Sequence, residues 1–480
     1  MQWIDFLDRF WPHLAAGFDL LAASLASVHV LLHKRDTRAA IIWIGLAWTL
    51  PVLGSVLYLS LGVNRLRRRA IKLGVHKTFS RPVPDDLGEP EHDGAEHLKH
   101  IARVVSRFTT QPLTTGNKIE PLVNGDQAFP AMLAVIESAK KSISLCSYIF
   151  DNDVSGMKFV TALQRAVERG VAVRVLVDAA GTRYSWPPIP WKLRKAKIPF
   201  AKFLPASIFT PWRVATINLR NHRKSLIVDG QLAFTGGMNI RHGNMMAEKP
   251  GHPVQDLHFR VTGPVVAELQ EAFANDWAFT TDEILDGDLW FPELTEAGDI
   301  IARVVPDGPD GDFENIRWTL LAALAEAQFT VKIVTPYFLP DATIITALNL
   351  AALRGVQVDI ILPVKNNLPY VHWASRALWW QVLERGCRIW LTPPPFDHSK
   401  LMIVDGHWVM LGSANWDARS LRLNFELNLE CYSRAFAAEM EKLIEQKLQG
   451  SHAVTLAEAD GRSMPEKLRD AAARLFSPYL

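Results

Sequence analysis

Cysteine is scarce in this chain of 480 residues: Cys146, Cys387 and Cys431 are the only 3. They lie far apart in apolar, strand-like runs. Neither a disulfide framework nor a thiolate metal centre is expected, and they read as buried thiols of a reducing compartment. An excess of either charge is also missing. Fifty-two Lys and Arg against 50 Asp and Glu leave a formal charge of +2, so the average gives no sign of a nucleic-acid binder or an acidic solvated tail. The sequence has no His-Glu-x-x-His pair, no Asp-rich cluster and no Gly-Lys-Ser/Thr phosphate loop, so no metal and no cofactor is expected. Charged residues are only 21% and apolar residues 49%, which excludes disorder. The length fits two large domains with an appendage, or three average ones.

The apolar excess is concentrated at the start. Mean hydropathy is +0.05, high for a soluble enzyme. Residues 39–61 are 23 positions without a charge, with Trp43 and Trp48 towards one end and Tyr58 towards the other. Such a run is long enough to cross a hydrocarbon core of about 30 Å as a helix. Residues 14–32 are a weaker second candidate, because Asp19 and His29 interrupt them. A cleaved signal peptide fits less well: the start is not basic, it carries Asp5 and Asp8, and no small-residue cleavage site precedes Lys34. Arg65, Arg67, Arg68, Arg69 and Lys72 follow the stronger stretch, while Lys34, Arg35 and Arg38 precede it. The more positive side is expected in the cytoplasm, with the rest of the chain.

Residues 82–98 are rich in Pro, Gly and acid and read as a linker. Beyond them the chain repeats itself. Residues 131–178 and 316–363 both run helix, strand, helix, strand; Tyr148 and Tyr337 are 189 apart, and the Arg-Gly-Val triplets starting at Arg169 and Arg354 are 185 apart. Order and spacing together mark a duplication. Near-continuous Val/Ile/Leu strands alternating with helices predict an α/β sheet covered on both faces. Residues 282–314, with eleven acids against Arg303 alone, read as the connection between copies.

Each copy carries the same polar signature. The first is His222-x-Lys224, four residues, Asp229-Gly230, then Gly236-Gly237-x-Asn239. The second is His398-x-Lys400, four residues, Asp405-Gly406, then Gly412-Ser413-x-Asn415. One match would be a weak signal; two in register within a duplication are a strong one. His and Lys at i and i+2 on an extended strand share a face, and a two-fold relation would bring both pairs into one cleft. Two imidazoles with two ammonium groups suit a phosphodiester. The lysines, with Asn239, Ser413 and Asn415, would hold the non-bridging oxygens; one His would attack phosphorus and the other protonate the departing alkoxide. Asp256 and Glu426 follow the two motifs at offsets of 34 and 28 residues, and each is expected to orient the His of its own copy. Asp229 and Asp405, although counted with the catalytic motif, follow a buried strand and precede Gly, so an architectural turn role is expected.

These strings resemble the bacterial cardiolipin synthases of the phospholipase D superfamily. They are NLRNHRKSLIVDG with FTGGMNI, HSKLMIVDG with LGSANWDARSLRLNFEL, QDLHFRVTGPVV, the strand ends YIFDND and TPYFLPD, and WTLPVLGSVLYLSLG, similar to the family's anchor. The resemblance implies two tandem phospholipase D-like lobes with pseudo-two-fold symmetry after an N-terminal helical membrane anchor. The corresponding divisions are 1–70 anchor, 71–118 linker and lead-in, 119–285 first lobe and 286–480 second lobe. It further implies a metal-free phosphohistidine intermediate with His222 as nucleophile and His398 as acid, exchange between two phosphatidylglycerol molecules to give cardiolipin and glycerol, and residence at the inner membrane. The copies depart from each other where Gly237 faces Ser413 in the alignment and where Asp417 has no acidic counterpart.

Between residues 179 and 228 there is no acid, while ten Lys and Arg are interleaved with Trp186, Trp191, Phe200, Phe203, Phe209 and Trp212. Cations beside apolar rings describe a surface lying at an anionic bilayer; a solvated loop or a nucleic-acid track would use the same residue types. The leading reading is a membrane-bound phosphatidyl transferase with a phospholipid substrate and no nucleic-acid partner. A phospholipase D or exchange enzyme acting on another phospholipid is the alternative, followed by a nuclease. An inactive lipid-binding scaffold is disfavoured by intact His and Lys in both copies.

Overall fold

The computed structural model describes residues 2–34, 37–62, 95–204, 219–309 and 312–477. The basic run at 65–72, most of the linker at 82–98, and Phe209 and Trp212 lie outside them. The amino-terminal residues form a compact unit of their own.

In that unit the two apolar stretches exchange the ranks expected of them. A helix spans Gln2–His33, and its segment Phe10–His33 is the one described helix long and apolar enough to cross a membrane. Residues 39–61 are broken instead into helix Thr37–Thr49, a short helix Leu53–Leu57 and a wide turn Tyr58–Gly62. Pro51 is the physical cause: it has no N–H to donate, and its ring displaces the carbonyl four residues back. The ionisable groups that weakened the first stretch serve this break. Asp19 accepts a hydrogen bond from Val52 N at 2.5 Å, and His29 Nδ1 lies 2.7 Å from the Tyr58 hydroxyl. They face the second segment, where each finds a hydrogen-bond partner.

The remainder is built on one sheet of 15 strands. The first lobe supplies β1 (Thr114–Val123), β2 (Ser142–Ser147), β3 (Ala172–Asp178), β4 (Phe200–Phe203), β5 (Ser225–Val228), β6 (Leu232–Gly236) and β7 (Leu257–Thr262). The second supplies β8 (Ile300–Asp307), β9 (Thr330–Val334), β10 (Gln357–Pro363), β11 (Arg388–Thr392), β12 (Leu401–Val404), β13 (Trp408–Gly412), β14 (Glu426–Tyr432) and β15 (His452–Val454). The lobes join where β1 pairs antiparallel with β8. Outward from that join the order is β1-β7-β6-β5-β2-β3-β4 on one side and β8-β14-β13-β12-β9-β10-β11-β15 on the other, the same plan twice.

Strands β2, β5 and β12 are buried along their whole length, as helices on both faces require. Helices Asn124–Ser138 and Val154–Glu168 serve the first lobe, Asn315–Glu326 and Ala342–Leu353 the second. The repeated acids after the tyrosine strands start two of them: Asp153 caps Gly156 N at 2.8 Å, and Asp341 caps Thr343 N at 2.9 Å and Ile344 N at 3.1 Å.

The lead-in grouped with the linker extends the second lobe. Helix Lys99–Val105 packs on Asn315–Glu326, and Ala95, Leu98, Ile101, Ala102 and Val105 join the core of that lobe. The buried Arg303 ties the same helix down, donating to Ser106 Oγ at 2.7 Å and to the Ala102 carbonyl at 3.1 Å while paired with Glu430. At the other end of the first lobe, residues 289–292 still belong to it: Ser142 donates to the Leu289 carbonyl at 2.8 Å. All three cysteines are buried and unbridged.

Candidate active site

The motif aspartates stand at the far end of their strands from His and Lys. Asp229 and Asp405 adopt φ of 53° and 50°, each followed by a glycine of positive φ, the tight reversal that an Asp-Gly pair favours. Their carboxylates then collect backbone N–H groups from the neighbouring central strand. Asp229 accepts from Lys141 at 2.7 Å and Ser142 at 3.0 Å, and Asp405 from Phe329 at 2.8 Å and Thr330 at 2.7 Å. These two acids lock the hairpin that presents the site and take no part in it.

At the other end, backbone contacts between lobes fix the imidazoles. His222 N donates to the Phe425 carbonyl and His398 N to the Gln255 carbonyl, both at 2.8 Å. Each acceptor is the residue just before an acid of the opposite lobe, so the side chains cross as well. His222 Nδ1 donates to Glu426 Oε2 at 3.0 Å, and His398 Nδ1 lies 2.8 Å from Asp256 Oδ2. This corrects the expectation that Asp256 serves His222 and Glu426 serves His398. Sequence offset alone could not distinguish a partner within the lobe from one across the two-fold axis.

The lysines fold back on the same turn. Lys224 Nζ donates to the His222 carbonyl at 2.5 Å, and Lys400 Nζ donates to the His398 carbonyl and lies 2.9 Å from His398 Nδ1. Burial, opposed by Glu426 and reinforced by both lysines, pushes the His222 pKa down to about 4. Burial and the two ammonium groups do the same to His398, also to about 4, against the pull of Asp256. Burial lowers Lys224 to about 7, with Lys400 adding to the effect, and lowers Lys400 to about 8. Burial raises the carboxyl of Glu426, but the neighbouring His222, Lys224 and Ser413 outweigh it and hold the pKa below its ordinary value. An anion entering this site would offset two desolvated ammonium charges.

Ser413 departs from its expected phosphate-holding role. Its hydroxyl donates to Glu426 Oε2 at 2.6 Å, accepts from Leu427 N at 2.9 Å and is buried. It fixes the carboxylate that fixes His222. The matching Gly237 explains itself in the same terms, since a Cβ there would fall 2.3 Å from Asp256 Oδ1. Asn239 accepts from Ile149 N at 3.1 Å, whereas Asn415 donates to Ser420 Oγ at 3.3 Å and keeps a buried Oδ1 without a partner.

Sequence reasoning passed over the tyrosines. Tyr148 lies edge-on to His222 at 4.9 Å between ring centres, and Tyr337 to His398 at 6.0 Å. Their equal place in the repeat was the available signal. Arg223, between His222 and Lys224, is buried and spans the lobes, pairing with Asp276 at 3.0 Å and donating to the Glu426 carbonyl at 3.0 Å.

A duplicated sheet that joins two His-x-Lys strands across a two-fold axis defines a phospholipase D-like enzyme. The family model described as cardiolipin synthase, PLD-like domain, matches residues 132–277 and 320–448, and the phospholipase D-nuclease N-terminal model matches 21–62. The cardiolipin synthase of Listeria monocytogenes is 30% identical over 474 residues, covering 96% of this chain and 98% of that one. That of Oceanobacillus iheyensis is 31% identical over 472 residues, with coverage of 96% and 98%. Cardiolipin synthase 1 of Bacillus anthracis is 30% identical over 475 residues, covering 94% and 91%. The crystal structure of phosphatidylserine synthase from Haemophilus influenzae shares the fold at a TM-score of 0.64 and 16% identity, over 79% of this chain and all of that one. The chain belongs to the cardiolipin synthase family, is an enzyme of the phosphatidyltransferase type, and is membrane-associated.

Proposed function

We propose that this enzyme joins two phosphatidylglycerol molecules into cardiolipin and glycerol through a phosphohistidine on His222. The crossed pairs of His222 with Glu426 and His398 with Asp256 carry the reading. With Nδ1–H donated to Glu426, His222 directs the lone pair of Nε2 at phosphorus. As the N–P bond forms, the bond to the glycerol oxygen breaks, and His398 gives that oxygen a proton. In the second half His398 takes the proton of the acceptor hydroxyl, whose oxygen attacks phosphorus and releases His222.

The two imidazoles differ in a way that supports these roles. Nδ1 of His398 alone has both a carboxylate and an ammonium within reach. As imidazolium, His398 donates Nδ1–H to Asp256 and carries a second proton on Nε2, the form an acid needs; once that proton is given up, Nδ1–H stays on Asp256 and Nε2 is bare, the form a base needs. The phosphodiester's charge favours the protonated imidazole against both lysines. Lys224 and Lys400 balance the equatorial oxygens. We place the lobes on the cytoplasmic face of the inner membrane, a reading supported by the basic run after the second apolar stretch and by three unbridged buried thiols. Trp186, Tyr184 and Trp191, all exposed, with Lys192 and Lys195 over the Trp191 ring, form the surface suited to an anionic bilayer.

The test is incubation of membranes containing the enzyme with labelled phosphatidylglycerol. Cardiolipin with equimolar glycerol is expected. Phosphatidic acid as the main product would make it a hydrolase, and DNA cleavage without lipid turnover would overturn both.

A further inference from the structure

The reacting phosphate is provided for by the two lysines, yet a second set of cations gathers at the rim from three separate segments. Arg183 ends the turn Gly181–Arg183, which packs so closely on Tyr148 that a Cβ on Gly181 would fall 1.6 Å from the Tyr148 carbonyl oxygen. Arg220 stands two residues before His222, and its carbonyl accepts from Phe425 N at 2.8 Å. Arg419 comes from the other lobe, in the loop leading to Glu426, where its carbonyl accepts from Leu423 N at 2.9 Å and Asn424 N at 3.0 Å. Arg220 and Arg419 both act on the Tyr148 hydroxyl, and Arg419 and Arg183 act on Arg220.

The acids facing this group are Asp178 and Asp417, both buried. Asp178 accepts backbone N–H groups from Ala180 at 2.8 Å, Gly181 at 3.2 Å and Asn221 at 2.9 Å, and Asp417 accepts from Ser420 N at 2.7 Å. Across the pseudo-two-fold axis the counterparts of Arg220 and Arg419 are uncharged. Phe396 stands two residues before His398, and Gly243 stands four after Asn239, as Arg419 does after Asn415. These two cations are therefore not part of the duplicated catalytic plan.

We propose that Arg183, Arg220 and Arg419 form a second anion site, which holds the acceptor lipid's own phosphodiester while its terminal hydroxyl, three carbons away, attacks the phosphohistidine. This rests on the transferase reading above. Water or glycerol as acceptor has no such group, and the donor lipid's single phosphate is the one reacting. A guanidinium fork matches the two free oxygens of a phosphodiester.

The test compares two reactions of the full-length enzyme in phosphatidylglycerol vesicles: cardiolipin formation, and exchange of labelled free glycerol into phosphatidylglycerol. Arg220→Gln and Arg419→Gln are each expected to lower the ratio of cardiolipin to exchange about tenfold, the worth of a charge-assisted hydrogen bond. Arg419→Lys should recover part of it. A ratio within about twofold of wild type, whether both rates fall together through lost membrane binding or neither falls, overturns the site. Wild-type enzyme that performs neither reaction overturns the transferase reading itself.

Discussion

Gly237 and Asp256 occupy in the first lobe the places that Ser413 and Glu426 occupy in the second. The shorter acid stands where a Cβ would touch it, and the longer acid is held by a serine hydroxyl. Backbone plan, strand order and the crossed hydrogen bonds agree between lobes, whereas the side chains behind each carboxylate do not. The comparison teaches that duplication preserved the frame which pairs each imidazole with a carboxylate of the opposite lobe, while the supports diverged into one tightly braced histidine and one with a choice of partner.

Replacing the imidazoles tests this difference most severely. His222→Ala and His398→Ala are each expected to cut cardiolipin formation by about a thousandfold or more. A denaturing quench near neutral pH, which spares the acid-labile phosphorus–nitrogen bond, should trap lipid on the His398→Ala protein and none on His222→Ala; the reverse result would exchange the roles. Next come the carboxylates, where Glu426→Gln and Asp256→Asn should each cost about ten- to a hundredfold. Nitrogen-15 spectra should show Glu426→Gln moving the Nδ1 resonance of His222 and Asp256→Asn that of His398, and the opposite pattern would undo the crossing.

Smaller effects probe the supports. Gly237→Ser should push the Asp256 carboxylate from His398 and slow transfer about tenfold, and Ser413→Gly about threefold, both with little change in Tm because the displaced atom ends a side chain. For pH, kcat/KM should fall above about pH 7 to 8 as Lys224 and Lys400 lose their protons. Both histidines fold with pKa values near 4, below their unfolded value, so the unfolded chain binds more protons. Their contribution to stability is complete above about pH 6.5 and declines towards pH 4. A denaturation midpoint that rose on acidification through that range would contradict their neutral burial.

Much of this was legible beforehand because it is local or repeated. The apolar tetrads 225–228 and 401–404 are strands, the Asp-Gly pairs turn, and the equal spacing of Tyr148 and Tyr337 announced two lobes. Which acid meets which histidine was not, since that depends on how two halves dock. Ser413 looked like a phosphate ligand because its hydroxyl is close to the motif, but the register of β13 on β14 turns it to Glu426. The broken apolar stretch was readable from Pro51, whose effect on a helix outweighs the absence of charge.

The crossing also sets an order in time. His222 leaves the ribosome 204 residues ahead of the carboxylate that orients it, which at usual rates of synthesis is about 10 to 40 seconds. His398, in contrast, emerges after Asp256 is already made. On the proposed mechanism, a nascent chain thus carries its nucleophile His222 unbraced until the strand bearing Glu426 has docked, and lipid chemistry begins only with the finished enzyme.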